Sequence, residues 1–463
     1  MEFTKVEIFA LVAMAFGVFM DGLDSSVANI ALPSIAGYFG TDASAVAWVV
    51  IVYFMMIAGL MLIFGRIADS GHTKKVYVLG FVLFSASSLA CGLSESLGLL
   101  VASRVVQGIG AAMLGAVAPM MCVKYLSRDK LGIGMSLLMV AGALGFLSGP
   151  AVGGMIIDVS SWHWIFFINV PIGTLAVLLS LTILPKDSDT SESRLDLVGS
   201  ALLFLSIVCG VYVIEMLSDK SQTMINIIML TIMVVSLILF VAVEKRVRYP
   251  VLKLGMFRNW MFTSSLMCYA LLSVAYVGAA YLVPFYLTKE LALSYTFSGL
   301  LIMIPSFVTI ITSVPTGKYG DRHGRRGLSI ASTVFLLLSL IGYWIVDPSM
   351  GWTPFVVIGI LSGIMWGLCG SVASRIVDLS DPPERGMAST MSNFAYYVGG
   401  SIGSALFATL VTFGSGTIGV PIDLITSEEF MDGYKLAMLC GVILSVASLV
   451  CAAIINENKV RTS

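Results

Sequence analysis

Long apolar runs and short polar interruptions alternate along the whole chain. A bilayer-crossing helix needs about 20 predominantly apolar residues. Segments of that kind begin near residues 8, 44, 76, 96, 132, 164, 196, 223, 260, 295, 328, 352, 386 and 432, so fourteen spanning helices are predicted. The longest polar connections, 185–196, 245–258 and 413–431, leave no room for a separate soluble domain. The first run exceeds the roughly 7–15 apolar residues of a signal-peptide core, and no small-residue cleavage site follows it. It is expected to stay as a spanning helix.

Charge placement supports the count. With fourteen crossings and a cytoplasmic N-terminus, Lys220, Lys289 and Lys435 are the basic residues left outside, and Arg104 falls within a span. The remaining Lys and Arg gather on the cytoplasmic side, as they do in membrane proteins. Both termini are therefore expected in the cytoplasm. Charged residues make up 11% of the chain and apolar ones 58%, against roughly 25% and 45–50% in a soluble domain. The net charge of −1 offers no basic excess for nucleic acid. Seven cysteines stand singly, and His72, His163 and His323 fall in loops without metal spacing. No GxxxxGK[ST] phosphate loop and no nucleophile–base pair stands out, so neither an enzyme nor a cofactor is expected.

The chain also repeats itself. "GRIAD" at 65–69 corresponds to "GKYGD" at 317–321, an offset of 252 that also carries Gly134 onto Gly386. Pro33, read as closing the first helix, maps within one residue onto Pro284, closing the ninth. Parallel repeats about an axis along the membrane normal are one plan of transporters. The offset predicts a six-helix bundle over 1–185, a two-helix insert with its linkers over 186–258, and a second six-helix bundle over 259–463.

Within the spans, polar residues are few enough to single out. On helix 1, Gly17, Asp21, Asp24, Ala28 and Ala31 recur at spacings of four and three, which is one helix face. At 1.5 Å per residue from Ile8, Asp21 and Asp24 lie about 20 and 24 Å along the axis, inside a core of ~30 Å. Arg104 lies within helix 4, with Gln107 one turn on. An intramembrane charge costs about 2.5–3.5 kcal/mol on insertion scales and faces a partner or water. Helix 5 carries Gly142, Gly145, Gly149 and Gly153 beside Pro150, a spacing that allows close helix approach. Asn29, Gln107, Glu215, Tyr276, Tyr281, Asn393 and Tyr397 are candidates for the wall of a substrate cavity.

Four stretches taken together resemble the major facilitator superfamily, and within it the fourteen-helix drug:proton antiporters. They are "LDSSVANIALP" (23–33), "GRIADSGHTKK" (65–75), "RVVQGIGAA" (104–112), and "GFLSGPAVGG" (145–154) followed by "WHWIFFINVP" (162–171). The resemblance covers essentially the whole chain. It implies an all-α integral membrane protein that exchanges lipophilic, cationic small molecules for protons by alternating access, as a monomer in the cell membrane. It gives proton coupling to Asp24 and Arg104, with Asp21 an addition at a position often neutral. It reads Gly145, Gly149, Pro150, Gly153 and Gly154 as the antiporter signature. It assigns Gly65, Asp69 and Lys74, with Gly317, Asp321, Arg322 and Arg325 in the second half, to a cytoplasmic latch. Ser70, His72 and Thr73 depart from the latch pattern, so the first-half latch is expected to be the weaker. The same scaffold also fits export of a metabolite, a lipid-like molecule or a siderophore, or a non-transporting membrane sensor.

Overall fold

The computed structural model describes residues 4–41, 43–185, 187, 196–216, 222–247, 249–416 and 426–454. Among these the regular structure is helical and no strand occurs. Fourteen long helices follow one another: α1 Lys5–Phe39, α2 Ala43–Ile67, α3 Thr73–Gly92, α4 Leu97–Tyr125, α5 Leu131–Val159, α6 His163–Ile183 and α7 Leu197–Glu215. Then come α8 Thr223–Glu244, α9 Trp260–Phe285, α10 Tyr295–His323, α11 Arg326–Ile345, α12 Thr353–Asp378, α13 Arg385–Gly414 and α14 Ser427–Ile454. Each has the length and hydropathy to cross a membrane. The stretch Ala45–Gly92 runs on as 48 residues of near-continuous helix, but the polar residues 66–75 interrupt its apolar sequence and it breaks at Gly71 (φ 105) into α2 and α3. A positive φ of that size is open to glycine and strained for most other residues.

Polar residues start several of these helices. Thr4 and Glu7 form a capping box on α1, and the side chains of Ser96, Asp196, Asn259 and Ser294 accept from the first turns of α4, α7, α9 and α10. Such caps satisfy backbone donors that have no partner within the helix. One boundary differs from the sequence reading. Pro33 does not close α1, which continues through it to Phe39 for 35 residues. At 1.5 Å per residue α1 is about 52 Å long, and Asp21 and Asp24 lie near its middle.

The packing repeats at a shift of eight helices. α1 lies on α5, α2 on α4, and α3 on α4 and α6; correspondingly α9 lies on α13, α10 on α12, and α11 on α12 and α14. Close approach is built the same way in both halves. A Cβ on Gly145 would collide with the Phe19 carbonyl oxygen of α1, and one on Gly403 with the Val274 carbonyl oxygen of α9. The halves meet along α5–α10 and α2–α13, with α4 against α13 and α5 against α12. α7 rests on α2 and α13, while α8 packs on α7 and is mostly exposed to the surroundings. Helices α1, α3, α5, α11 and α13 begin at the same end of the bundle, its basic end.

Candidate functional site: a buried acid cluster and the seam between halves

Asp24 and Arg104 form a buried ion pair. Arg104 Nη1 donates to Asp24 Oδ2 at 2.6 Å, with the two side chains 2% exposed or less. The other carboxylate oxygen of Asp24 accepts from Gln107 Nε2 at 3.0 Å and from Asn169 Nδ2 at 2.9 Å. Arg104 also donates from Nε to the Val49 carbonyl at 2.9 Å and from Nη1 to Gln107 Oε1 at 2.6 Å. Gln107 donates in turn to Ser88 Oγ at 2.7 Å. A charge taken out of water is tolerable only when paired and hydrogen-bonded, and here α1, α2, α3, α4 and α6 each contribute a partner. Arg104 Nη2 and Asn169 Oδ1 have no hydrogen-bond partner among the described residues.

Asp21 faces another way. It accepts from the Tyr53 hydroxyl of α2 at 2.7 Å and from the Tyr397 hydroxyl of α13 in the second half. Tyr53 links the two acids, because the Arg104 guanidinium lies 4.1 Å from its ring centroid. A cation over an aromatic face is worth about 2 kcal/mol when desolvated. From Tyr397 an aromatic row runs through Tyr396, Trp366 and Tyr276, with centroid separations of 5.3, 5.4 and 5.2 Å. Phe54 continues it into the first half at 6.5 Å. The offset of 252 that relates the loops also carries Asp24 onto Tyr276, so the second half has a phenol where the first has its paired acid.

The two latch sequences behave differently. Asp321 accepts from the backbone N–H groups of Gly132 (2.8 Å) and Ile133 (3.0 Å) at the start of α5, which ties the halves together. A carboxylate there also meets the positive end of the α5 dipole. Arg325 bonds Asp321 at 2.7 Å and Asp378 at the end of α12, and Arg128 approaches Asp378 at 3.5 Å from the first half. In the first half Thr73 stands where Arg325 would be, and Asp69 has Arg66 at 3.9 Å. Lys74 makes its bonds inside that half, donating from Nζ to the carbonyls of Leu181 and Leu184 at 2.7 Å. Gly65, near the end of α2, and Gly317, near the end of α10, both sit at the seam. A Cβ on Gly65 would lie 2.7 Å from Thr390 Cγ2, and one on Gly317 would lie 2.6 Å from the Gly132 carbonyl. Asp321→Ala is therefore expected to destabilise the fold by about 1–3 kcal/mol and to expose the seam. Asp69→Ala should do markedly less. Thiol labelling of a Ser136→Cys reporter beside Gly317 reads both, and equal labelling would contradict the asymmetry.

The remaining predicted residues fall in several places. Asn393 is a seam residue, donating to the Gly115 carbonyl of α4 at 2.9 Å. Tyr276 packs in the aromatic row, while Tyr281 is 40% exposed beside Phe285. Arg322 is exposed. Gly145, Gly149 and Gly153 pack on α1, where Cβ atoms would meet Phe19, Ser26 and Val27, whereas Gly154 has open space. The side chains of Asn29, Glu215 and Pro150 lie outside the described residues. Sequence reasoning did not single out Tyr53, Ser88, Asn169, Arg128 or Asp378. Asn169 carried a usable signal, since it is an amide inside the quoted stretch "WHWIFFINVP".

Two repeated six-helix packings, the first enclosing a buried acid–arginine cluster, in a chain of membrane-spanning helices, follow the plan of a multi-pass membrane transporter. The family model of the Major Facilitator Superfamily matches residues 14–404 and, in a second match, 265–459. The chain is 31% identical over 418 residues to the multidrug export protein EmrB of Escherichia coli K12, covering 87% of this chain and 79% of that one. It is 28% identical over 409 residues to the riboflavin transporter RibZ of Clostridioides difficile, covering 87% and 89%. The crystal structure of the human organic anion transporter MFSD10 (TETRAN) shares the fold, with a TM-score of 0.64 at 13% identity over 96% of this chain and 99% of that one. The chain belongs to the major facilitator superfamily, within the fourteen-helix family of the EmrB-type multidrug efflux transporters. The family consists of transporters, not enzymes, and this chain is a membrane transporter of small molecules.

Proposed function

We propose that the protein is a proton-coupled antiporter that exports lipophilic, cationic compounds across the cell membrane by alternating access. Protons are its coupling ion, no other cofactor is required, and it works as a monomer with both termini in the cytoplasm. Residues 1–185 and 259–463 rock as two bodies, and 186–258 forms an insert beside the α2–α13 seam. The observation that carries this reading is the pair of buried acids on α1, one caged within a single half and one bonded across the seam. Asp24 is held within one half by Arg104, Gln107 and Asn169, while Asp21 beside it is bonded to the other half. A carboxylate whose partners change as the halves move changes its proton affinity in step. The ties between the halves run from the basic end, at Asp321, to the middle, at Asp21. That supports a state closed toward the cytoplasm.

The energetics suffice. One pH unit supplies about 1.4 kcal/mol per proton, and one charge crossing 100 mV about 2.3 kcal/mol more. Export against a hundredfold gradient needs about 2.7 kcal/mol. The aromatic row from Phe54 to Tyr276 suits flat cations, since ring faces attract positive charge.

A second reading, export of a flat heteroaromatic metabolite, is favoured by the similarity to RibZ. Purified protein in liposomes loaded with a pH-sensitive dye separates the two. Ethidium-like cations added under an imposed pH gradient should trigger proton movement in the wild type and none in Asp24→Asn. Proton movement with riboflavin and none with cations would shift the substrate to the metabolite class. Substrate flux without proton movement would remove the antiporter reading.

A further inference from the structure

We propose that Asp21 is the acid through which a proton loosens the seam, its bond from Tyr397 being a tie that protonation releases; this rests on the proton-coupled reading above. The seam face of α13 is a stripe of Gly386, Thr390, Asn393 and Tyr397, spaced four, three and four, which is one side of a helix. Gly386 packs beside Asp69 of the loop after α2. Thr390 donates to the Ala116 carbonyl at 2.9 Å and Asn393 to the Gly115 carbonyl at 2.9 Å. Tyr397 donates to Asp21. The stripe therefore runs inward from the basic end over acceptors that do not titrate, and ends at the centre of the bundle on one that does.

Asp24 has no such lever. Its three donors come from α4 and α6, in the same half as itself. Asp21 also has a donor in its own half, Tyr53, which moves with it. The charged and titratable groups facing Asp21 are Asp24, Arg104, Tyr53, Tyr396 and Tyr397. As a carboxylate, Asp21 accepts from both phenols in charge-assisted hydrogen bonds, roughly twice as strong as neutral ones. Once protonated it loses that charge and becomes a donor itself, and the tie across the seam is the bond that has somewhere to go. Protonation of Asp21 thus favours opening at the basic end, the direction in which an exporter must carry its proton inward.

The test is a distance across the basic end followed against pH. Spin labels are placed at exposed Lys75→Cys and His323→Cys, with the partly buried Cys440 and Cys451 replaced by alanine. In the wild type the separation should widen as pH falls from about 9 to about 5. Tyr397→Phe should raise the open-to-closed ratio at the alkaline end about tenfold and flatten the pH response. Tyr53→Phe removes a bond to the same carboxylate without touching the seam. It should move the midpoint and leave the alkaline state closed. Asp21→Asn should hold the acid-like distribution at every pH. A Tyr397→Phe protein with wild-type midpoint and amplitude overturns the proposal, and so does a Tyr53→Phe protein that opens as far. Proton exchange in liposomes is measured in parallel. Distances insensitive to pH with intact exchange reject the tie alone, whereas loss of both in the wild type rejects proton coupling as well.

Discussion

Arg104→Leu is expected to destabilise the folded protein by about 3–5 kcal/mol, because it leaves the Asp24 carboxylate buried without its cation. Asp24→Asn should cost a similar amount for the mirror reason, a guanidinium 0% exposed with no carboxylate beside it. The double change Asp24→Asn with Arg104→Leu should cost less than the two singles added together. Gln107 and Asn169 can still bond a side-chain amide at position 24, and no unpaired charge remains. Unfolding midpoints in detergent read this cycle directly. Additive losses would mean that the pair does not act as a unit. Transport separates stability from coupling. All three variants should fail to exchange protons for substrate, including the double variant with its stability partly recovered.

Gly145→Leu is expected to abolish transport and to cost at least the 1–3 kcal/mol typical of an overpacked core. Its Cβ would lie against the Phe19 carbonyl oxygen and 2.9 Å from the Leu23 backbone nitrogen. Neither can rotate away, so α1 must separate from α5 and take Asp21 and Asp24 with it. Gly154→Leu, nine residues on in the same glycine-rich helix, meets nothing within 4 Å. It should stay within about 0.5 kcal/mol of the wild type. Expression, unfolding midpoint and transport compared for the pair decide the matter. If both variants fail alike, the run acts by something other than contact with α1.

These two cases show what can be read in a one-dimensional chain. Span lengths and the offset of 252 are local or periodic properties, and the helices begin close to where the apolar runs do. Asp24 and Arg104 stand out because charge inside a span demands a partner, and each is the other's. Gln107 follows from the helical spacing of three. The rest depends on which helices touch. Tyr53 and Tyr397 are ordinary aromatics until α2 and α13 bring their hydroxyls to one carboxylate, from 32 and 376 residues away. Lys74 reads as part of a latch between halves, yet the end of α6 lies nearer and takes its ammonium. Pro33 reads as a helix end because proline lacks an N–H. A helix can continue through proline when neighbouring helices hold it, and α1 does so. Asp321 and the start of α5 are 189 residues apart, and no local pattern joins them.

The most direct measurement of the central claim is the number of protons released when substrate binds to the detergent-solubilised protein in weak buffer. With a saturating lipophilic cation, wild-type protein should release protons at acidic pH and progressively fewer as the pH rises. Asp24→Asn and Asp21→Asn should each release fewer at every pH while still binding the cation. Binding that releases no proton at any pH, or the same number from all three proteins, would contradict a carboxylate-coupled exchange at this site.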